Sequence, residues 1–313
     1  VKMSLPGEII MKAAGIPLFK KEGNYLRGIF QAMRGDTDKA LDSFRAYGAE
    51  GGETPELAAG RAITLISARR HEEALAELDR ALAQQPSGMI RLLRGQALLN
   101  LGAAQEALAD IQAAGQDGGL VPGVKGMLGA AYLEFGGLDE AIVALQEAGT
   151  EMTATSGTFF ALADAYRLSG RDAEARDAYE EAAARAIVDV QYAVAADRGI
   201  LPLALARLGK LDEAASVVQE ALATSTNDPS VYIARALIEV RRGTPSFAAS
   251  DLEQALAISA HAAVKALEDP DFAPVSSSPE YQALLERAKA ERERVLERVR
   301  NRRQPAQQAD YAG

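Results

Sequence analysis

An internal repeat with a period of about 34 residues constrains this chain more than any other feature. A small residue, usually glycine, is followed five positions later by alanine, and successive alanines lie 34, 33, 34, 34, 39 and 34 residues apart. The pairs are Gly35/Ala40, Arg69/Ala74, Gly102/Ala107, Gly136/Ala141, Gly170/Ala175, Gly209/Ala214 and Gly243/Ala248, with arginine replacing glycine in the second. Such a period indicates a stack of small structural units, none of which buries a core alone.

Each of these alanines begins an apolar stripe with the spacing of an α-helix. Ala141, Leu145 and Ala148 are separated by four and three positions, so they lie on one helix face. A small residue twelve positions before the alanine, here Gly129, falls on a preceding helix and lets two helices approach closely. The intervening glycine is predicted to be a helix C-cap, because a positive φ costs glycine little. The sequence therefore predicts consecutive helix pairs.

Composition and charge exclude several classes of protein. The chain has 313 residues with 34 basic and 44 acidic side chains, a net charge of −10, whereas general nucleic-acid binding needs a basic surface. The chain has no cysteine, so disulfides and thiolate metal sites are excluded. No apolar run approaches the roughly 20 residues of a membrane-spanning helix. We therefore expect no nucleic-acid partner and no membrane span.

These features together resemble the tetratricopeptide repeat (TPR) family. The copy that begins at Pro122 carries the family pattern at Gly129, Tyr132, Gly136, Ala141 and Ala148, and the copy from Ser156 carries it again. The family's characteristic tryptophan is missing throughout. The resemblance implies an all-α, right-handed superhelical solenoid of about seven antiparallel helix pairs over residues 21–262, with repeats starting near 21, 55, 88, 122, 156, 195 and 229.

The ends and one irregularity depart from the repeat. Residues 1–20 are expected to form an N-terminal cap or degenerate helix, or alternatively the remains of a further repeat. Pro202 falls within a predicted first helix and should shorten or kink it. Residues 263–303 are predicted to form a C-terminal capping segment and helix, with Ser278 as N-cap and the far end in solvent or in a coiled-coil contact. Residues 304–313 are predicted to be a disordered tail.

The family resemblance also implies a concave groove lined by the first helix of each pair. Gly123 and Gly126 should leave open space there, next to Phe160. The polar and acidic middle of the groove is predicted to comprise Gln96, Asn100, Glu134 and Asp164. Arg167, Arg207 and Arg241 come from consecutive repeats and are predicted to form a basic strip that binds carboxylates or another anion. The alternative is an ordinary solvated inner face.

No motif for catalysis or for cofactor binding was identified in the sequence. The only histidines are His71 and His261, in no metal-ligand spacing. The glycine-rich stretch 115–129 lacks the lysine of a phosphate-binding loop. We therefore expect no catalytic residues, no cofactor and no metal.

The sequence thus predicts a non-enzymatic scaffold or adaptor that binds a protein or peptide in the groove, and the basic strip suits a partner with an acidic surface. The alternatives are a structural subunit of a fixed assembly and the TPR portion of a larger enzyme. The oligomeric state is left open. The cytoplasm is the favoured compartment, while the periplasm or secretion would follow if a signal peptide had been removed before residue 1.

Overall fold

The computed structural model describes residues 20–117, 121–192, 198–224 and 227–310. The predicted N-terminal cap over residues 1–20 lies outside this part apart from Lys20, and so does the predicted start of the sixth repeat near residue 195. The α-helices are α1 Lys20–Met33, α2 Thr37–Gly51, α3 Pro55–Ser67, α4 His71–Gln84, α5 Gly88–Leu101, α6 Ala104–Gln116, α7 Val124–Glu134, α8 Leu138–Gly149, α9 Ser156–Leu168, α10 Asp172–Tyr192, α11 Ile200–Arg207, α12 Leu211–Thr224, α13 Pro229–Arg241, α14 Ala248–Ile258, α15 Ala260–Glu268 and α16 Pro279–Asp310. Short 3₁₀ turns span Pro245–Phe247 and Pro270–Phe272.

The first fourteen helices form consecutive pairs that pack against their neighbours in chain order. Short connections between packed helices reverse the chain direction, so the pairs are antiparallel. The described residues contain no β-strand. The predicted all-α solenoid of helix pairs is therefore confirmed. None of the helices in the described ranges is both long and apolar enough to span a membrane.

The turn inside each helix pair has the left-handed backbone conformation that the repeat spacing predicts. The glycines at the turns inside the helix pairs have φ between 72° and 83°. Arg69 stands at the same turn of the second pair and is the only non-glycine residue of the described ranges with a positive φ, 61°. Its left-handed backbone shows that the turn geometry is kept even where glycine is absent, at the cost of steric strain.

Close helix approach explains the small residue on each first helix. A Cβ atom added to Gly95 of α5 would lie 2.6 Å from Cγ1 of Ile111 on α6, and one added to Gly28 would lie 2.7 Å from the Phe44 ring. Ile111 and Phe44 are almost completely buried. The second helix therefore inserts its large side chain against the bare backbone of the first.

An ion pair between residues sixteen positions apart recurs inside some pairs and was not predicted. The bonds are Arg61 Nε to Glu77 Oε2 at 3.0 Å, Arg94 Nε to Asp110 Oδ2 at 2.7 Å and Arg235 Nε to Asp251 Oδ2 at 2.8 Å. Each joins the first helix of a pair to the second. The copies from Pro122 and Ser156 carry apolar residues at both places.

The irregular sixth pair follows the expectation for Pro202. Helix α11 begins only at Ile200 and has 8 residues, so proline sits in its first turn, where no N–H is needed. Helix α10 before it is 21 residues long. The proline therefore shortens the first helix.

The C-terminal segment differs from the prediction in the position of the far part of its helix. Ser278 does cap α16, because its Oγ accepts a bond of 3.3 Å from the Tyr281 N–H. However, the far part of α16 does not project into solvent: Leu296 and the buried Val299 pack into the core formed by α2 to α7. The helix is continuous to Asp310, residues 311–313 lie outside the described residues, and the disordered tail over 304–313 stays a prediction.

Candidate functional site

A cavity of about 650 Å³ lies on the inner side of the solenoid, between the first helices of the middle repeats and α15. It brings together eight of the residues that the sequence predicted for the groove. They are Gln96, Asn100, Gly123, Gly126, Glu134, Phe160, Asp164 and Arg207. The other two, Arg167 and Arg241, do not line the cavity and belong to the ion-pair network beside it.

Gly123, just before α7, and Gly126, within it, open one side of the cavity. Gly123 precedes the helix with a φ of 85°, so its backbone conformation itself favours glycine. A Cβ atom at Gly126 would lie at ordinary contact distances, 3.6 Å from Thr158 Oγ1 and 3.8 Å from the Ala148 Cβ. A side chain larger than alanine at Gly126 would therefore extend into the cavity, and with glycine this space is open to a ligand.

The three arginines of the predicted basic strip converge, but they already have partners. Asp269 and Asp271, in the turn that follows α15, occupy the position expected for an anion from outside. We call this turn, residues 269–271, the acidic turn. The bonds are Arg167 Nη2 to Asp269 Oδ2 at 2.8 Å, Arg207 Nη2 to Asp269 Oδ2 at 2.9 Å, Arg207 Nε to Asp271 Oδ2 at 3.2 Å and Arg241 Nη2 to Asp271 Oδ1 at 2.8 Å.

Burial and charge act against each other in this network. Only 8% of the Arg207 side chain is exposed. Burial opposes its charge, but Asp164, Asp269 and Asp271 outweigh burial and raise its pKa. Burial likewise opposes the charge of Asp271, and the nearby guanidinium groups lower the pKa of its carboxyl. Each guanidinium group of the network therefore lies against a carboxylate of opposite charge.

The Tyr179 hydroxyl completes the network from the second helix of the fifth pair. It donates a hydrogen bond to Asp164, which also pairs with Arg207. Burial and the Asp164 carboxylate raise the pKa of Tyr179. Asp164 is thus held by two donors and faces the cavity as an occupied acceptor.

A second polar cluster lies at Glu134. His261 Nε2 donates to Glu134 Oε2 over 3.2 Å, and Lys265 pairs with the other oxygen. Burial would raise the pKa of Glu134, but the His261 hydrogen bond and the Lys265 ammonium lower it to about 2. The sequence predicted Glu134 in the groove but gave no sign that α15 would cover it.

Two amides remain open to a ligand. Gln96 and Asn100 stand one turn apart on α5 and line the cavity half-buried. Their side chains make no hydrogen bond within the described part of the chain. An amide both donates and accepts, so this wall can bind neutral polar groups. Within the described residues, no three His, Cys, Asp or Glu side chains cluster to hold a metal.

Comparison with known proteins identifies the repeat. The sequence model described as "Tetratricopeptide repeat" matches residues 60–120, which contain α4, α5 and α6. Residues 60–120 therefore carry a tetratricopeptide repeat, and the helix pairs on either side of them have the same architecture. A search of curated proteins finds no match.

Solved structures support the TPR fold. A chain of the APC/C Cut9–Hcn1 hetero-tetramer is 17% identical with a TM-score of 0.56, over 89% of this chain and 50% of that one. The human IFIT1 dimer with PPP-AAAA is 18% identical with a TM-score of 0.55, over 93% of this chain and 76% of that one. The chain thus spans about half the length of the Cut9–Hcn1 chain, and at these identities the likeness shows the fold alone.

Proposed function

We propose that this TPR protein is a non-enzymatic interaction scaffold that holds an uncharged, largely apolar peptide segment of a partner protein in its central cavity. The observation that carries the proposal is the cavity of about 650 Å³ lined by the predicted groove residues. Its volume lies in the range of about 300–1,000 Å³ that ligand sites occupy.

The pairing of charges at the wall favours an uncharged segment. Arg69, Glu134, Glu151, Asp164, Arg207, Lys265 and Asp269 line the cavity. Each has an oppositely charged partner within 4 Å. A charged ligand at Asp164, Arg207 or Asp269 would have to break a largely buried pair, and breaking such a pair is costly.

This argument revises the partner predicted from the sequence. An acidic partner at Arg167, Arg207 and Arg241 would have to displace the acidic turn, whose neighbour Phe272 is buried in the core. The free amides of Gln96 and Asn100 suit peptide backbone groups instead. Apolar side chains of a bound segment would contact Phe160 and Ile233, which also line the cavity.

The solved structures do not extend the proposal. IFIT1 was solved with PPP-AAAA, but the net charge of −10 and the paired cavity wall of this chain argue against a nucleic-acid ligand. The Cut9–Hcn1 likeness is one of fold, so assembly into a fixed complex stays an alternative without an observation that favours it.

A displayed library of random peptides, selected on the purified full chain, tests the proposal. Gly126→Leu should fill the cavity and abolish binding of the selected peptides. Gly23→Leu, at a helical glycine with nothing within 4 Å, is the matched control and should bind as wild type. The selected peptides should be poor in Asp and Glu. Equal binding to both variants would place the peptide site elsewhere, and a selection that enriches no peptide would remove the proposed function.

A further inference from the structure

The C-terminal helix α16 joins two apolar cores that lie far apart in sequence. Its first part contributes the buried Tyr281, Leu284 and Ala288 to the core of α11 to α15. Its later part contributes Val299 and Leu296 to the core of α2 to α7. A terminal cap needs to cover only its own neighbour, so the reach of α16 asks for a further explanation. We call residues 291–302, the later part, the strap.

The strap lies over a second cavity. This cavity, of about 280 Å³, is lined by Arg292, Val295 and Arg298 of the strap, by the start of α4 and by the start of α15. Arg69, His71, Asn100 and His261 line both this cavity and the central one. These shared residues therefore form the partition between the central cavity and the space under the strap.

The partition is held by polar contacts between distant parts of the chain. Arg69 Nη2 contacts Asp228 Oδ1 at 3.0 Å, and the Asn227 amide donates to the Ala68 carbonyl at 3.3 Å. On the other side of α15, His261 and Lys265 pair with Glu134. We call this set of contacts the seam. It closes the solenoid between its second to fourth and its last helix pairs.

The two parts of α16 are attached with very different strength. The first part has three buried side chains in the core. The strap has only Val299 fully buried, together with an ion pair of 2.8 Å between Arg298 and Glu72 and a bond of 2.8 Å from Arg302 to the Glu72 carbonyl. The Arg298–Glu72 pair is partly exposed, and such pairs contribute little to stability. The strap should therefore detach while the rest of α16 stays in place.

We infer that the strap and the seam form a gate on the central cavity. With the strap released and the seam parted, the cavity opens sideways, so a peptide segment inside a longer chain enters without threading its end. The sideways entry of a peptide rests on the proposed function, whereas the opening itself does not.

Distances between spin labels test the gate directly, because a chain without native cysteine accepts labels only at introduced ones. Ala83 on α4 and Gln254 on α14 are exposed and lie on opposite sides of the seam; both are changed to Cys in the full chain. Val299→Asp should shift their distance distribution to longer values and broaden it. Glu297→Ala, an exposed change on the same helix, is the matched control and should leave the distribution unchanged.

A second variant and a second label pair keep the result decisive. Glu72→Lys opposes Arg298 without touching a core, so it decides the question if Val299→Asp fails to fold by circular dichroism. Labels at Gln219 and Gln254, in neighbouring pairs, should keep a fixed distance in every variant. An unchanged Ala83–Gln254 distance in a folded Glu72→Lys protein would overturn the gate. An equal lengthening of the Gln219–Gln254 distance would also overturn it, because it would show that the chain unfolds instead of opening at the seam.

The gate and the proposed function can fail separately. Longer distances with no peptide bound would keep the gate and remove the proposed function. Unchanged distances with peptides bound in the cavity would remove the gate and keep the proposed function. When both hold, Glu72→Lys should speed the association of a selected peptide embedded in a folded carrier more than that of the free peptide.

Discussion

Replacement of Gly95 by alanine tests the close contact between α5 and α6. Alanine in a helix interior is intrinsically more stable than glycine by about 1 kcal/mol. Against this gain, the new Cβ would lie 2.6 Å from Cγ1 of Ile111 and 3.4 Å from the Ala107 carbonyl oxygen. Ile111 cannot rotate away, because a β-branched side chain in a helix has one strongly preferred rotamer.

The steric overlap with Ile111 should therefore outweigh the gain in helix propensity from alanine. Overpacking of a dense core costs about 1–3 kcal/mol, so we expect Gly95→Ala to lower the free energy of unfolding by up to about 2 kcal/mol after the gain in helix propensity. Gly60 on α3 is the control, because a Cβ there would meet the Phe44 ring at an ordinary 3.6 Å. Gly60→Ala should raise the free energy of unfolding by up to about 1 kcal/mol.

Urea denaturation followed by far-ultraviolet circular dichroism measures both changes. Ile111→Ala provides the internal check: it should cost about 2–5 kcal/mol alone, and in its background Gly95→Ala should become stabilising. If Gly95→Ala and Gly60→Ala stabilise the chain equally, the close approach of α5 and α6 does not exist as described.

Two further predictions concern the polar clusters. Arg207→Met leaves the carboxylates of the acidic turn without one of their partners and should lower the free energy of unfolding by about 3–5 kcal/mol. Arg241→Met, at a side chain 31% exposed, should lower it by under about 1 kcal/mol. Equal shifts in the urea midpoint would contradict this difference. Glu134 has a pKa of about 2 in the folded state against an ordinary value of 4.5, so the unfolded state binds the proton more readily. The contribution of Glu134 to stability is therefore complete above pH 4.5 and is lost as the pH falls towards 2. Thermal melts between pH 6 and 3 should therefore show a stability difference between wild type and Glu134→Gln that shrinks with acidification. A constant difference would count against the pairing of Glu134 with His261 and Lys265.

The fold could be predicted from the sequence because the repeat is local. Each helix pair is specified by a short spacing, such as Gly129 with Leu145, and seven copies remove the ambiguity of any single one. Even the exceptions follow, since Arg69 takes the turn conformation of the glycine it replaces and Pro202 moves the start of its helix.

The site could be predicted only in part, for a physical reason. The spacing places Arg167, Arg207 and Arg241 on one inner surface, but it says nothing about which distant segment lies against them. Asp269 follows Arg167 by 102 positions, and no periodicity links the two. The Asp-Pro-Asp run after the last repeat carries charges opposite to those of the three arginines. The sequence alone does not show that this run contacts them, because the contact joins distant parts of the chain.

The strap also has a consequence for how the chain folds. In an open solenoid each helix pair needs only the previous one, so folding can follow synthesis from the N-terminus. The contact between Glu72 and Arg298 closes a loop of 226 residues, and the entropy lost in closing a loop grows with its length. Contacts of such large sequence separation slow folding. Docking of the strap onto Glu72 should thus be a late kinetic phase in folding. It cannot occur before α16 is synthesised, so a nascent chain would pass through an open solenoid first.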